Sequence, residues 1–497
     1  MDDPKASAAM TTAEDVTTTS VARHTRHTAA SQGFTQAVRF ATTIVLARLL
    51  TPDDFGVVAI ALVVSMVLDQ LKDLGTGAAI VQRDVVDDAL VNAVFYLNLA
   101  LGAVLAGTMF LTAGPLAGLL GNPDAEPALQ AFAAITFVTS FGQIHHSLLR
   151  RQMRFFDLAV ITTVTAAVTA AVSISTAFMG LNYWSIVLGT AAGAVVGTVM
   201  VWVYSSWRPT LGRIDVSSLQ SIWRFSYHLF LSNLLFVVFN QVDKVIISRF
   251  LGGAALGTYT LAQRTVTSPV ATVSSIVAEV TFPAFSRRQD DDAALRMGYI
   301  RSSRAVALVT FPALCGLAAL ATPAVAVVFG SEWSDLAPII WLLAPVAAIQ
   351  SVTSTSAQIL LAKGRSDVSY RWGIVYCVVL TVGELCAVPW GLVGVAAAFA
   401  GGVLLLTPFG LMLAFREIDL RLRDYLRQMF PHIWMTVVMT AVTLGASLGV
   451  RYAGGSHLLE LAAGLVAGGL IYVVLLRQVR PPGLLDAMAA IRERPSS

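Results

Sequence analysis

The chain has 497 residues, of which 56% are hydrophobic and only 13% are charged, and its mean hydropathy is +0.72. Soluble domains carry roughly 25% charged residues, so this composition excludes a soluble globular protein. The net charge of +3 at pH 7 does not point to a nucleic-acid partner, and we predict none.

Fourteen apolar stretches, each about long enough to cross a 30 Å hydrocarbon core, lie between Ser31 and Leu476. They predict an all-α integral membrane protein with about 14 transmembrane helices. The predicted helices are 31–50, 55–72, 90–112, 128–148, 156–178, 182–204, 226–250, 255–281, 303–328, 336–361, 370–388, 391–414, 430–450 and 458–476.

Basic residues are concentrated in alternate connections between these helices. The seven connections on one side contain a single basic residue, Arg451, whereas the other side has clusters such as Arg150, Arg151 and Arg154. Loops rich in Lys and Arg stay on the cytoplasmic side of the membrane. We therefore predict that both termini are cytoplasmic.

The sequence contains an internal repeat with an offset of 201 residues. Arg48 precedes Gly56 by eight positions, and Arg249 precedes Gly257 by the same interval. Six helices separate equivalent positions, and an even number preserves the direction through the membrane, so we expect two parallel six-helix repeats. In transporters of this kind the substrate site lies between the repeats.

The repeat and the polar segments together predict a domain organisation. It comprises a disordered cytoplasmic tail at 1–30, a six-helix lobe at 31–204, an interfacial linker helix at 205–225, a second six-helix lobe at 226–414, a basic segment with two extra helices at 415–476, and a cytoplasmic tail at 477–497.

Few ionisable residues fall deep within the predicted helices. A charge at mid-membrane costs about 2.5–3.5 kcal/mol on insertion scales and is retained where it faces protein or a wet cavity. Arg39, Lys244 and Arg264 could attract a diphosphate, because guanidinium groups match phosphate oxygens well. Alternatively, Asp243 could neutralise Lys244 or Arg264 in an ion-pair network that only holds helices together.

Two deep carboxylates, Glu279 and Glu384, are candidates for ion coupling. Burial favours the protonated form of a carboxyl group, so such a residue can exchange a proton during transport. Either residue could instead serve in helix packing. We expect no cofactor and no metal ion, with possible coupling to a proton or sodium gradient.

Several motifs resemble those of Wzx-type oligosaccharide flippases. These are Leu46-Ala47-Arg48-Leu49-Leu50-Thr51-Pro52-Asp53-Asp54-Phe55-Gly56, Asp73-Leu74-Gly75, Asn240 with Asp243-Lys244, Leu256-Gly257-Thr258-Tyr259, Phe282-Pro283-Ala284-Phe285-Ser286-Arg287 and Phe329-Gly330-Ser331-Glu332-Trp333. The resemblance covers most of residues 31–415 and is to the polysaccharide-transporter branch of the multidrug/oligosaccharidyl-lipid/polysaccharide exporters.

This resemblance implies two six-helix bundles that form a V around a central cavity. Asn240 and Asp243 are further candidates to line this cavity and to contact the substrate. It implies transport of an undecaprenyl-diphosphate-linked oligosaccharide across the bacterial cytoplasmic membrane by alternating access. The partners that the resemblance implies are membrane lipids, a polysaccharide polymerase and glycosyltransferases.

Three other functions remain open from the sequence. A cation-coupled multidrug or metabolite antiporter of the same superfamily would be expected to use acidic cavity residues, whereas the deep charges here are at least as basic. A membrane polymerase or sugar transferase would need large outer loops with paired charges, but the loop 113–127 has only Asp124 and Glu126. A scaffold without transport activity would leave the deep charges unexplained.

Overall fold

The computed structural model describes residues 32–83, 86–210, 230–268 without 232 and 236, 291–353 and 355–483. Within these ranges the chain is helical and contains no strand, and nine helical spans are long and apolar enough to cross a membrane. The prediction of an all-α membrane protein is therefore confirmed, while the number of fourteen helices stays a prediction.

The chain divides into two compact units. The first unit contains Met1–Leu50 and Val57–Gln241, and the second contains Thr51–Gly56 and Val242–Ser497. The short segment Thr51–Gly56 thus belongs to the second unit, although the helix that it begins continues into the first.

The first unit contains nine helices or helical segments among its described residues. They are α1 (32–49), α2 (Pro52–Asp73, whose first turn belongs to the second unit), α3 (Thr76–Gln82), α4 (Asp88–Leu119), α5 (Glu126–Ser140), α6 (Gln143–Arg151), α7 (Phe155–Phe178), α8 (Trp184–Tyr204) and α9 (230–239 without 232 and 236).

The second unit has a comparable set of helices in its described part. They are α10 (Val242–Leu251), α11 (253–268), α12 (Asp292–Ala319), α13 (Ala321–Val328), α14 (Leu336–Thr353), α15 (Ser356–Ala362), α16 (Ser366–Ala387), α17 (Gly391–Arg416), α18 (Leu422–Tyr452) and α19 (His457–Val479).

The motif Thr51-Pro52-Asp53-Asp54 is the start signal of α2. Asp54 Oδ2 accepts hydrogen bonds from the backbone N–H of Thr51 at 2.9 Å and from its hydroxyl at 2.8 Å, and Thr51 Oγ1 accepts one from the Asp54 N–H at 3.3 Å. This is a capping box, and the proline occupies the first helical position, where it loses no intrahelical hydrogen bond.

The motif Asp73-Leu74-Gly75 ends the same helix. Leu74 and Gly75 have φ angles of 48° and 73°, which break the helix before α3 begins. Asp73 Oδ1 accepts hydrogen bonds from the Gly77 N–H at 3.2 Å and from Gln143 Nε2 at 2.9 Å. The carboxylate therefore caps α3 and ties it to α6.

The prediction of one continuous helix over 128–148 is wrong. The chain forms α5 and α6 instead, separated at Phe141 and Gly142. Trp202 Nε1 donates a hydrogen bond to the Phe141 carbonyl oxygen at 2.9 Å. The carbonyl group at the helix break therefore has a hydrogen-bond donor. Apolar composition alone does not reveal such a break, because both sides of it are hydrophobic.

The predicted start of the ninth helix at 303 is also wrong, because α12 begins at Asp292. The Asp291 side chain accepts a hydrogen bond from the Ala294 N–H at 2.9 Å and caps the helix. The first eleven residues of α12 include three charged side chains, Asp292, Arg296 and Arg301, which interrupt the apolar pattern, so a search for apolar runs excludes them. Of the predicted linker helix, residues 205–210 are not helical and 211–225 lie outside the described residues.

Helices α7 and α8 approach closely along a stripe of glycines. A methyl group at Gly189 would overlap the Ser173 hydroxyl, and one at Gly193 would overlap the Thr169 hydroxyl. Small residues at this spacing allow helix backbones to pack tightly in a membrane. The glycine stripe thus packs two helices of the first unit against each other.

Candidate functional site

The predicted site residues are divided between the two units. Arg39 and Asn240 belong to the first unit, whereas Asp243, Lys244, Arg264 and Glu384 belong to the second. The remaining candidate, Glu279, lies outside the described residues. Each unit therefore contributes its own polar groups, and these are described separately.

Arg39 lies on the packed face of α1. Residues four apart share a helix face, so Arg39 lines up with Thr35 and Thr43, which are both buried. Thr35 Oγ1 is 3.1 Å from Thr163 Oγ1, and this hydrogen bond shows that the face of α1 with Thr35 packs against α7. The Arg39 side chain is nevertheless exposed, so open space lies against α1 at this level.

Arg264 has the same relation to α11. It follows Gly257 by seven residues and Leu261 by three, so all three lie on one stripe of the helix. Leu261 is buried and Gly257 is closely packed, but Arg264 is exposed. The Arg264 guanidinium group thus lies at an accessible point of an otherwise packed face.

A tight turn brings Asp243 and Tyr259 together. Gly252, with a φ of +87° that favours glycine, separates α10 from α11, so the two helices run back alongside each other. Tyr259 Oη donates a hydrogen bond to Asp243 Oδ2 at 3.0 Å, and the Lys244 N–H donates to Asp243 Oδ1 at 2.8 Å. Asp243 is nine residues from the turn, about 13 Å along the helix axis.

Glu384 on α16 completes a buried acidic group, which we call the carboxylate cluster and define as Asp243, Tyr259 and Glu384. Asp243 is 7% exposed, Tyr259 is 0% exposed and Glu384 is 2% exposed. The Glu384 carboxyl group lies within electrostatic range of Asp243. The cluster therefore places two acidic side chains in one buried region of the second unit.

Lys244 follows Asp243 in α10 of the second unit, whereas Asn240 lies in the first unit. Lys244 is half-buried, and because neighbouring residues diverge by about 100° on a helix, it does not point with Asp243. Asn240 is exposed at the end of α9. Both side chains stay predicted substrate contacts.

Lys72 is a buried charge that the sequence did not single out. Its Nζ atom is 2.8 Å from Asp69 Oδ1 and 2.8 Å from Thr139 Oγ1 in α5. The Lys72 side chain is 2% exposed, whereas that of Asp69 is 56% exposed. The spacing of three between an acidic and a basic residue was the available signal, because such pairs meet on a helix surface.

This asymmetry leads to a stability prediction. Asp69→Asn should lower the melting temperature more than Lys72→Met, because it leaves a buried ammonium group without its carboxylate. Methionine would keep the apolar stem packed, and the exposed Asp69 would stay hydrated near the end of α2. Thermal unfolding of the purified protein in detergent measures both changes.

The double variant Asp69→Asn/Lys72→Met is the matched control, and it should recover most of the stability lost in Asp69→Asn alone. A larger loss in Lys72→Met than in Asp69→Asn would contradict this account of the pair.

Known proteins resemble this chain in sequence. Residues 45–338 match the family described as polysaccharide biosynthesis proteins. The succinoglycan biosynthesis transport protein ExoT of Rhizobium meliloti is 31% identical over 364 residues, 73% of each chain. The lipopolysaccharide biosynthesis protein WzxC of Escherichia coli is 27% identical over 415 residues, 81% of this chain and 82% of the relative.

The fold has a solved counterpart. The structure of the lipid II flippase MurJ in an inward closed conformation matches with a TM-score of 0.71 over 91% of this chain and 99% of that chain, at 13% sequence identity. At this identity the likeness concerns the fold alone. The sequence match covers more than half of the chain, and the protein therefore belongs to the polysaccharide biosynthesis protein family, which confirms the Wzx-type resemblance of its motifs.

Proposed function

We propose that this protein flips undecaprenyl-diphosphate-linked oligosaccharide units across the cytoplasmic membrane by alternating access, for the synthesis of a surface polysaccharide. The observation that carries the proposal is the exposure of Arg39 and Arg264 on otherwise packed helix faces. The names of the relatives, which include a transport protein for succinoglycan, and the flippase fold support it.

The chemistry of the two arginines suits a diphosphate. A guanidinium group is always charged and presents a planar fork of donors that can hold two phosphate oxygens at once. The diphosphate is the group that all substrates of this class share, whereas the sugars differ. Arginines that recognise the diphosphate would therefore serve any sugar unit.

The carboxylate cluster is a candidate for energy coupling. Asp243 and Glu384 would bind a proton or a sodium ion in one state of the transport cycle and release it in another. Tyr259 would hold Asp243 in place through its hydrogen bond. Glu279 stays a second candidate from the sequence.

The protein would reside in the bacterial cytoplasmic membrane with both termini in the cytoplasm, as the distribution of basic residues favours. Its substrate would be assembled by glycosyltransferases and then consumed by a polysaccharide polymerase, and both classes of enzyme are proposed partners.

Replacement of Arg264 tests the proposed function. Arg264→Ala should reduce export more than tenfold, because a hydrogen bond to a charged group contributes about 1.5–3 kcal/mol. Arg264→Lys should recover only part of the activity, since it restores the charge without the planar fork. Lipid-linked oligosaccharides retained on the cytoplasmic face of a deletion strain that carries each variant provide the measurement.

Arg451→Ala, at the far end of α18, is the matched control and should export normally. Normal export by a stable Arg264→Ala protein would remove this residue from the mechanism, and a deletion strain without retained intermediates would contradict the proposed function itself.

The orientation can be tested with single cysteines in a chain whose three natural cysteines are replaced. Asp124→Cys should react with a membrane-impermeant maleimide in whole cells, whereas Gln152→Cys should react only after permeabilisation, because the basic segment around it stays inside. Both positions are exposed, so access is not limited by burial. The opposite labelling pattern would mean that the termini lie outside.

Neutral variants test the coupling. Asp243→Asn and Glu384→Gln should lose the stimulation of transport by an imposed proton or sodium gradient in proteoliposomes, because an amide neither releases a proton nor supplies a negative charge. Glu332→Gln, an exposed carboxylate in the turn after α13, is the control and should keep it. Stimulation that persists in a stable Asp243→Asn/Glu384→Gln protein would exclude the cluster.

A further inference from the structure

The first turns of α2 and α11 touch through their backbones. A methyl group at Gly56 would overlap the Gly253 carbonyl group, and its distance to the Gly253 Cα atom would be 2.9 Å. A methyl group at Gly257 would overlap the Pro52 carbonyl oxygen and would lie 2.8 Å from the Gly56 nitrogen. All these residues lie in the second unit. Backbone atoms cannot rotate away as a side chain can, so only glycine fits at either position.

This contact is reciprocal in the register of the internal repeat. Pro52 and Gly253 are 201 residues apart, and so are Gly56 and Gly257. Gly56 contacts Gly253, which is the counterpart of Pro52 in the repeat, and Gly257 contacts Pro52 itself. Such exchange of partners is the signature of a two-fold axis, in which residue i contacts j and j contacts i. The repeated glycines therefore mark the point where equivalent segments of the two repeats meet.

Neighbouring side chains pack the first turn of α2 against the rest of the second unit. The Phe55 ring packs edge-on against the Trp333 ring, with 5.2 Å between centroids and both side chains buried. Trp333 follows Gly330, whose φ of 103° turns the chain at this point. The motif Phe329–Trp333 thus packs against the α2 turn next to the glycine contact.

The face of α11 that is closed at Gly257 is accessible further along. Arg264 lies on the same stripe, about 10 Å along the helix axis, and is exposed. One face of α11 is therefore covered by backbone contact at Gly257, whereas the same face is exposed at Arg264. A transport pathway that is closed on one side and accessible from the other has this arrangement.

We propose that Gly56, Gly253 and Gly257, with Pro52, form a gate that closes the transport pathway at the outer face and must separate in each cycle. The proposal rests on the proposed transport function and on the orientation inferred from the basic loops. Glycine suits a gate because bare backbones meet over a small area without interlocking side chains, so the contact can break without any side chain repacking.

Spin labels on either side of the contact test the gate. Asp53→Cys and Ala254→Cys, in a chain without its natural cysteines, place labels at two equivalent positions of the repeat, and pulsed electron paramagnetic resonance in lipid nanodiscs measures the distance between them. We expect one short distance in the parent chain. Gly56→Ala and Gly257→Ala should each shift the distribution by several ångströms, because the added methyl excludes the closed state.

A static contact would behave differently. It would relax by only about 1–2 Å, enough to bring the methyl group to van der Waals distance, and that result would overturn the gate. Gly118→Ala is the matched control, since this glycine also lies near an outer helix end but has no atom within 4 Å of an added methyl group. Its distance distribution should equal that of the parent chain.

A second measurement does not depend on the folding of the alanine variants. Joining Asp53→Cys to Ala254→Cys with a short, reducible bifunctional methanethiosulfonate should stop transport in proteoliposomes, and reduction should restore it. Unchanged transport by the cross-linked protein would overturn the gate.

The outcomes separate this inference from the proposed function. If the alanine variants populate the long distance but undecaprenyl diphosphate leaves the parent chain's distance distribution unchanged, the gate is supported and the proposed substrate fails. If the parent chain transports the lipid-linked oligosaccharide with its labels cross-linked, the function stands and the gate does not.

Discussion

The structure depends on the cost of placing unpaired polar groups in hydrocarbon. No water is available there, so the backbone satisfies its own hydrogen bonds as helices, and deep charges need partners or access to water. Lys72 meets this demand with Asp69 and Thr139, and Asp243 meets it with Tyr259. Where the α5–α6 break releases the Phe141 carbonyl, Trp202 supplies the missing donor.

Close packing through glycine is the second constraint on this fold. Apolar side chains gain no hydrophobic free energy when they leave lipid to contact one another. Helices in a membrane therefore associate through tight contact. Gly189 and Gly193 join α7 to α8 against hydroxyl side chains, over a long shared stripe. Gly56 and Gly257 instead meet backbone at the first turns of two helices. The long stripe suits a permanent contact, whereas the small end contact suits one that opens.

The polar groups fall into two kinds that suit different tasks. Arg39 and Arg264 are exposed on packed helix faces, and they are the proposed contacts of the diphosphate. Asp243, Tyr259 and Glu384 are almost completely buried, so only a proton or a small cation can reach them without disruption. Burial thus separates the proposed substrate contacts from the proposed coupling site.

Hydropathy and the distribution of charge determined the all-α membrane class, and the motifs determined the family, because both are local properties of the chain. Helix ends and breaks were less predictable. The carbonyl freed by the break at Phe141 is satisfied by a donor 61 residues away, and charged residues interrupt the start of α12, so a search for apolar runs does not find it. The repeat marked Gly56 and Gly257 as equivalent, but only the tertiary structure placed each against the backbone of the other's segment. Likewise, Asp243, Tyr259 and Glu384 became one cluster only when a glycine turn and a third helix brought distant residues together, which spacing along the chain does not encode.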